Sequence, residues 1–158
     1  MNENLKPAGN GYIAYLLLRL SLGLVIFLHG VVRLAGHYQQ FVASTERSFA
    51  QTPLPAGAVH FALLCIPWVE AVLGFFILTG LLTRLALIGG ALLMMVLLFG
   101  KCMEQDWTVV ASQLWYSFLF FVLLAYSEMN RYALDRVMGR DRNDRGHGFG
   151  ERGLSGSA

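Results

Sequence analysis

The sequence is poor in charge. Only 14% of its 158 residues are Asp, Glu, Lys or Arg, whereas 56% are hydrophobic; a soluble domain carries about 25% charged residues. So few charges cannot cover a water-soluble globule with polar side chains. The basic residues are also not interleaved with aromatic residues outside the hydrophobic blocks, so the sequence lacks the surface that binds nucleic acid.

Motifs for thiol chemistry and metal binding are also missing. The two cysteines, Cys65 and Cys102, are too far apart for a CxxC motif or a thiolate metal site, and we interpret them as buried apolar thiols. No two histidines stand three or four residues apart, so no metal site is predicted. Only His29 lies at a depth suited to a haem ligand, which disfavours a haem.

The hydrophobic residues form four blocks, at about 12–34, 58–80, 85–100 and 108–127. Each is near the roughly 20 residues that cross a membrane as a helix. The first block is too long for a signal-peptide core and no small-x-small cleavage site follows it, so we read it as a retained span. The pattern predicts an all-α integral membrane four-helix bundle that forms one domain, residues 1–130.

The connections between the blocks differ in length. Residues 36–57 are polar, and their aromatic spacing predicts a short interfacial helix in the first extramembrane loop, ended by Pro53 and Pro55. The short LLTR segment predicts a tight hairpin between spans two and three, with Arg84 as a structural residue of the turn. Residues 131–158 are rich in Arg, Asp and Gly, which predicts a polar, disordered tail.

The distribution of Lys and Arg predicts the orientation. With four spans, Lys6, Arg84 and six arginines of the tail lie on one side, against Arg33, Arg47 and Lys101 on the other, or eight against three. Because cytoplasmic loops carry the excess of positive charge, both termini are predicted to be cytoplasmic.

Several polar residues fall inside the predicted spans, where each ionisable group costs about 2.5–3.5 kcal/mol on insertion scales. Arg19 lies in span one and Glu70 in span two. At 100° per residue, the polar residues of span one share a face with two glycines that would allow close helix packing. Span four carries a second polar stripe. The residues of the two stripes are Arg19, Gly23, His29, Gly30, Arg33, Gln113 and Tyr116.

These residues allow structural and functional interpretations. We hypothesise that Arg19 pairs with Glu70 inside the bundle, as a structural ion pair or as a group that handles a ligand or protons. His29 fits an interhelical hydrogen bond, a donor to a quinone carbonyl or a proton relay. Gln113 and Tyr116 fit helix packing or a binding site.

Two segments carry a resemblance to a known family. RLSLGLVIFLHGVVRLAG, from Arg19 to Gly36, and EAVLGFFILTGLLTRLAL, from Glu70 to Leu87, resemble the DoxX family in the spacing of Arg, His-Gly, Glu and Thr-Arg. The resemblance covers about the first two-thirds of the chain. It implies a four-helix protein of the bacterial inner membrane that is linked to quinone-dependent redox chemistry. The positions that match are Arg19, His29, Arg33, Glu70 and Arg84.

The first functional hypothesis is therefore a membrane protein that binds a quinone or small ligand in a polar intramembrane cavity, or a membrane subunit of an oxidoreductase. Its candidate ligand-binding residues are Arg19, His29, Arg33, Glu70, Gln113 and Tyr116. No cofactor is intrinsic, and quinone is the one that the resemblance implies. The expected partners are the lipid bilayer and either another subunit or further copies of the chain.

The alternative is a non-catalytic accessory or assembly subunit of a larger membrane complex. Its polar residues would only hold the helices together. A small-solute transporter is less supported, since no inverted repeat is visible.

Overall fold

The structure, a computed structural model, describes residues 9–36, 38–130 and 132–134. These residues form α1 (Gly9–Gly36), α2 (Tyr38–Phe49), α3 (Ala56–Thr79), α4 (Thr83–Met103), α5 (Trp107–Ala125) and a short 3-10 turn at Ser127–Met129. No strand occurs within these ranges. The predicted all-α fold, with four long helices and one short helix in the first loop, is confirmed.

The four long helices α1, α3, α4 and α5 are long and apolar enough to cross a membrane. Large apolar side chains are exposed on all four of them, and a smaller set is buried between them. Such exposure would be unfavourable in water but suits a hydrocarbon solvent. The chain is therefore a multi-pass membrane protein.

The closest packing in the bundle joins α1 to α3 through glycines. A Cβ atom built on Gly23 would lie 2.7 Å from the backbone nitrogen of Leu78, and one on Gly74 would lie 2.6 Å from the Cα of Phe27. Gly30 meets the backbone of α3 in the same way. The two backbones therefore touch, as the glycines of span one predict.

These contacts set the register of α1 against α3. Gly23 lies beside Leu78 and Gly30 beside Ala71, so the two helices run antiparallel and the last residue of α1 is level with about position 65. Because α3 begins at Ala56, about 14 Å of α3 continue beyond the end of α1, at 1.5 Å per residue. The short helix α2 packs at this end, which we call the α2 end of the bundle.

The opposite end, which we call the turn end, carries the α3–α4 connection. Gly80 and Leu82 both have positive φ there, at 75° and 47°, and the chain reverses within three residues. Arg19 lies at this level: its guanidinium donates 3.1 Å to the carbonyl of Ile77 and 3.4 Å to that of Tyr132. A cation at a helix C-terminus satisfies carbonyls that have no helical partner and opposes the helix dipole.

A second residue of α1 donates a hydrogen bond to a carbonyl near the C-terminus of α5. The Tyr15 hydroxyl, which is buried, donates 3.1 Å to the carbonyl of Leu123 in the last turns of α5. Since α1 extends past both helix ends, its first turns hold the C-termini of α3 and α5 together.

At the α2 end, side chains organise the two connections. The Asp106 carboxylate accepts a hydrogen bond of 3.2 Å from the amide of Val109 and caps α5. Lys101 forms a 2.7 Å ion pair with Glu104. The Tyr38 hydroxyl donates 3.0 Å to the carbonyl of Leu64, which ties the start of α2 to α3.

The sequence also made predictions for the turn arginine, the two cysteines and the tail. Arg84 is the second residue of α4 and is exposed beside the turn. Cys65 and Cys102 are free thiols in the halves of α3 and α4 nearest the α2 end, and they are half-buried rather than buried as predicted. Most of the predicted tail lies outside the described residues, but Ala133 is buried against the bundle.

We expect Gly74→Ala to lower the stability of the bundle by about 1–3 kcal/mol, because the new methyl group would force two backbones apart. Unfolding in mixed micelles, followed by circular dichroism, measures this. Gly57→Ala on the same helix is the control, since nothing lies within 4 Å of its Cβ position. Equal stability of the two variants would contradict the close contact.

Candidate ligand-binding site

A polar cavity of about 150 Å³ lies inside the bundle between α1, α3, α4 and α5. We call it the polar cavity. Its polar lining comes from α1, α3 and α5, whereas α4 contributes only apolar side chains. The polar lining residues are His29, Arg33, Glu70, Ser112, Gln113 and Tyr116, and the apolar ones are Val25, Ile26, Met94, Leu97 and Val109.

An ion pair forms one wall of the polar cavity. The guanidinium of Arg33 donates to the carboxylate of Glu70 at 2.5 Å, and the Glu70 side chain is only 5% exposed. The Arg33 guanidinium also lies 4.7 Å from the centre of the Phe41 ring of α2, a cation–π contact worth about 0.5–2 kcal/mol. The pair therefore joins α1, α2 and α3.

The pair lies near the middle of the membrane-spanning height. Gly89 of α4 meets the side chain of Leu73 of α3, and the two helices run antiparallel, so Arg33 and Glu70 are level with about Met94. Met94 is close to the midpoint of α4 (Thr83–Met103). A charge at this depth is costly unless it is paired.

The predicted pairing of Arg19 with Glu70 is wrong. Glu70 binds Arg33 instead, and Arg19 does not line the polar cavity. The error came from counting depth from the ends of the hydrophobic blocks. Because α1 extends past α3 at the turn end, Arg19 is level with the end of α3, and Arg33 is the residue that reaches the height of Glu70.

His29 lies one turn before Arg33 on α1, and its side chain is exposed at the edge of the polar cavity. Its Nδ1 lies 2.9 Å from the carbonyl of Val25. Since a carbonyl only accepts, Nδ1 carries the proton of this hydrogen bond, and Nε2 is left to a ligand or to the surroundings. The interhelical hydrogen bond that we considered is replaced by one within α1.

Gln113 has the least satisfied polar group of the cavity. Its side-chain oxygen is fully enclosed and accepts no hydrogen bond from any residue in the described ranges. Leaving such an acceptor unsatisfied costs about 1–3 kcal/mol. Tyr116 is one turn further along α5 and supplies a hydroxyl.

An apolar cleft of about 440 Å³ lies beside the polar cavity at the α2 end. The cleft occupies the space that α1 leaves by ending early. Both spaces are lined by Arg33, Leu97, Val109 and Gln113. The other residues of the apolar cleft are Phe41, Thr45, Phe49, Leu54, Ala58, Val59, Ala62, Leu63, Ile66, Val96, Phe99, Gly100 and Lys101.

The structure thus brings five of the six candidate residues together: His29, Arg33, Glu70, Gln113 and Tyr116. Ser112 also lines the cavity and was missed, because a serine in an apolar helix gives no signal by itself. Among the described residues, no group of three His, Cys, Asp or Glu side chains could hold a metal ion.

We expect Arg33→Met to destabilise the protein by about 3–5 kcal/mol, because it leaves the buried Glu70 carboxylate without its partner. Glu70→Gln should cost less, because the guanidinium that it leaves unpaired is 29% exposed. The double variant should cost less than the sum of the two. Unfolding in mixed micelles gives all three values. Glu46→Gln, in a more exposed pair with His60, should cost less than about 1 kcal/mol. Additive effects of the two cavity changes would refute the pairing.

Comparison with known proteins agrees with the resemblance seen in the two sequence segments. No curated protein and no solved structure gives a significant match. Residues 14–100, which cover most of α1, all of α2 and α3, and most of α4, match the DoxX family. Since this match spans more than half of the 158 residues, the chain belongs to the DoxX family.

Proposed function

We propose that this protein binds the ring of a quinone in the polar cavity and serves as a membrane component of quinone-linked redox chemistry. The observation that carries the proposal is Gln113, which lines the cavity together with Arg33 and His29 and whose enclosed side-chain oxygen has no hydrogen-bond partner in the described ranges. A buried polar group that the fold itself leaves unsatisfied is typical of a group that a ligand satisfies.

The lining residues fit both redox forms of a quinone. Arg33, Tyr116 and the Gln113 amide carry hydrogens that can be donated to ring carbonyls, whereas the Gln113 oxygen and His29 Nε2 can accept from ring hydroxyls. A bound quinone would supply a group that takes up two electrons and two protons. Glu70 holds the Arg33 guanidinium in place beside the ring position.

Electrons must come from a partner in this proposal. Cys65 and Cys102 are separate free thiols, and the described residues offer no cluster for a metal. We therefore propose that the chain works with another subunit or with further copies of itself. An oxidoreductase subunit, rather than a complete enzyme, is the form that this site supports.

The alternative is a non-catalytic accessory subunit, in which the polar residues only hold helices together. The Arg33–Glu70 pair favours this alternative, since it joins two helices directly. Gln113 separates the two functions, because a residue that only held helices together would have its oxygen satisfied within the bundle.

We expect Gln113→Leu to weaken the binding of a tail-free benzoquinone by about tenfold, because one hydrogen-bond partner of the ring is lost. The same change should leave the unfolding midpoint unchanged or raise it, since an unsatisfied buried group is removed. Quenching of tryptophan fluorescence measures the binding in detergent micelles. Gln40→Leu, on the exposed face of α2, is the matched control.

A lower unfolding midpoint for Gln113→Leu, with no quinone binding to the unmodified protein, would support the accessory function instead. Equal quinone affinity of Gln113→Leu and Gln40→Leu would show that Gln113 does not contact the quinone.

We further propose that the protein lies in the bacterial inner membrane with both termini in the cytoplasm. Arg33 is at mid-height and in an ion pair, so it no longer counts as a charge of the loop side. The Lys and Arg bias thus becomes eight against two.

A reporter that is active only outside the cytoplasm should stay inactive when fused after residue 158. The same reporter inserted in the α2–α3 connection, after Gln51, should be active. Activity of the terminal fusion would reverse the orientation.

A further inference from the structure

The two charged residues that line the apolar cleft are already neutralised by ion pairs. These residues, Arg33 and Lys101, pair with Glu70 and with Glu104 respectively. Among the residues that the structure describes, no carboxylate lines the cleft. A water-soluble acid or sugar would therefore find few polar partners along it, whereas a hydrocarbon chain would need none.

Part of the cleft lining is exposed on the side of the bundle. Val96 and Phe99 line the cleft and are 58% and 54% exposed on α4. Because α4 is one of the membrane-spanning helices, these exposed side chains face the hydrocarbon of the bilayer. A ligand that is dissolved in the membrane can therefore reach the cleft without passing through water.

The cleft also lies directly beside the polar cavity. Arg33 and Gln113 stand at the junction and line both spaces. From this junction the cleft follows α3 from Ile66 to Ala58, which is about 12 Å at 1.5 Å per residue. A molecule with its ring beside Gln113 would place a ring substituent in the cleft.

We propose that the apolar cleft binds the hydrocarbon tail of a lipid-soluble quinone whose ring lies in the polar cavity, and that the ligand enters from the bilayer past Val96 and Phe99. This inference rests on the proposed function and adds to it the class of ligand, a tailed quinone rather than a small polar molecule. The early end of α1 is the structural cause of the tail site, since a longer α1 would fill it.

The test compares two probes, a tail-free dimethoxy-methyl-benzoquinone and its decyl derivative, on the full chain in detergent micelles. Ala62→Phe places a ring in the cleft, and Ala58→Phe does so nearer the α2 end. Ala111→Phe is the matched control, because Ala111 is exposed on α5 and lines neither space. Partition of the decyl probe into micelles is the same for every variant, so the ratio of the two affinities isolates the tail site.

We expect the decyl probe to bind about tenfold more tightly than the tail-free probe in the unmodified protein and in Ala111→Phe. Ala62→Phe and Ala58→Phe should abolish this advantage and leave the affinity for the tail-free probe unchanged. If Ala62→Phe fails to fold, Ala58→Phe gives the same comparison.

The failures of the two proposals are distinct. Binding of the tail-free probe with an equal tail advantage in all variants would overturn the tail site and leave the proposed function standing. No binding of the tail-free probe would overturn the proposed function itself. A phospholipid that copurifies, and that the decyl probe does not displace, would assign the cleft to a structural lipid and overturn the inference.

Discussion

The glycine contact between α1 and α3 is the constraint on which the rest of the structure depends. Gly23, Gly30 and Gly74 let two backbones touch, and such a contact permits very little sliding, because each glycine lies against main-chain atoms of the facing helix. The contact determines which residues of the two helices are level. It brings Arg33 to Glu70 and Arg19 to the end of α3.

Because of this register, Arg19 and Arg33 of α1 have different structural roles. Arg19 is fully buried and donates to the carbonyl of Ile77 at the turn end, where it stabilises the C-terminus of α3. Arg33 lies at mid-height, where its charge is balanced by a carboxylate and its guanidinium lies near an aromatic ring. The bundle supplies partners that make the burial of Arg19 and the partial burial of Arg33 tolerable.

The stagger of α1 against α3 also explains why the interior is not filled. A bundle of four helices of equal extent would close around an apolar core, whereas here α1 ends part-way and α2 covers the gap only incompletely. The result is a small polar cavity beside a larger apolar cleft. The sites proposed for the ring and for the tail therefore have one structural origin.

The sequence by itself determined the class of the fold. Four hydrophobic blocks, the glycines of span one and the prolines near residues 53–55 predict the helices, the close contact and the loop helix, since these signals are local and periodic. Helical spacing also placed His29 and Arg33 on one face, and Gln113 and Tyr116 on another. The tertiary structure alone decided which charge Glu70 meets, because a shift of α1 along α3 changes the partner without changing any sequence pattern. It also decided that an apolar cleft exists, since the space depends on where one helix ends relative to its neighbours.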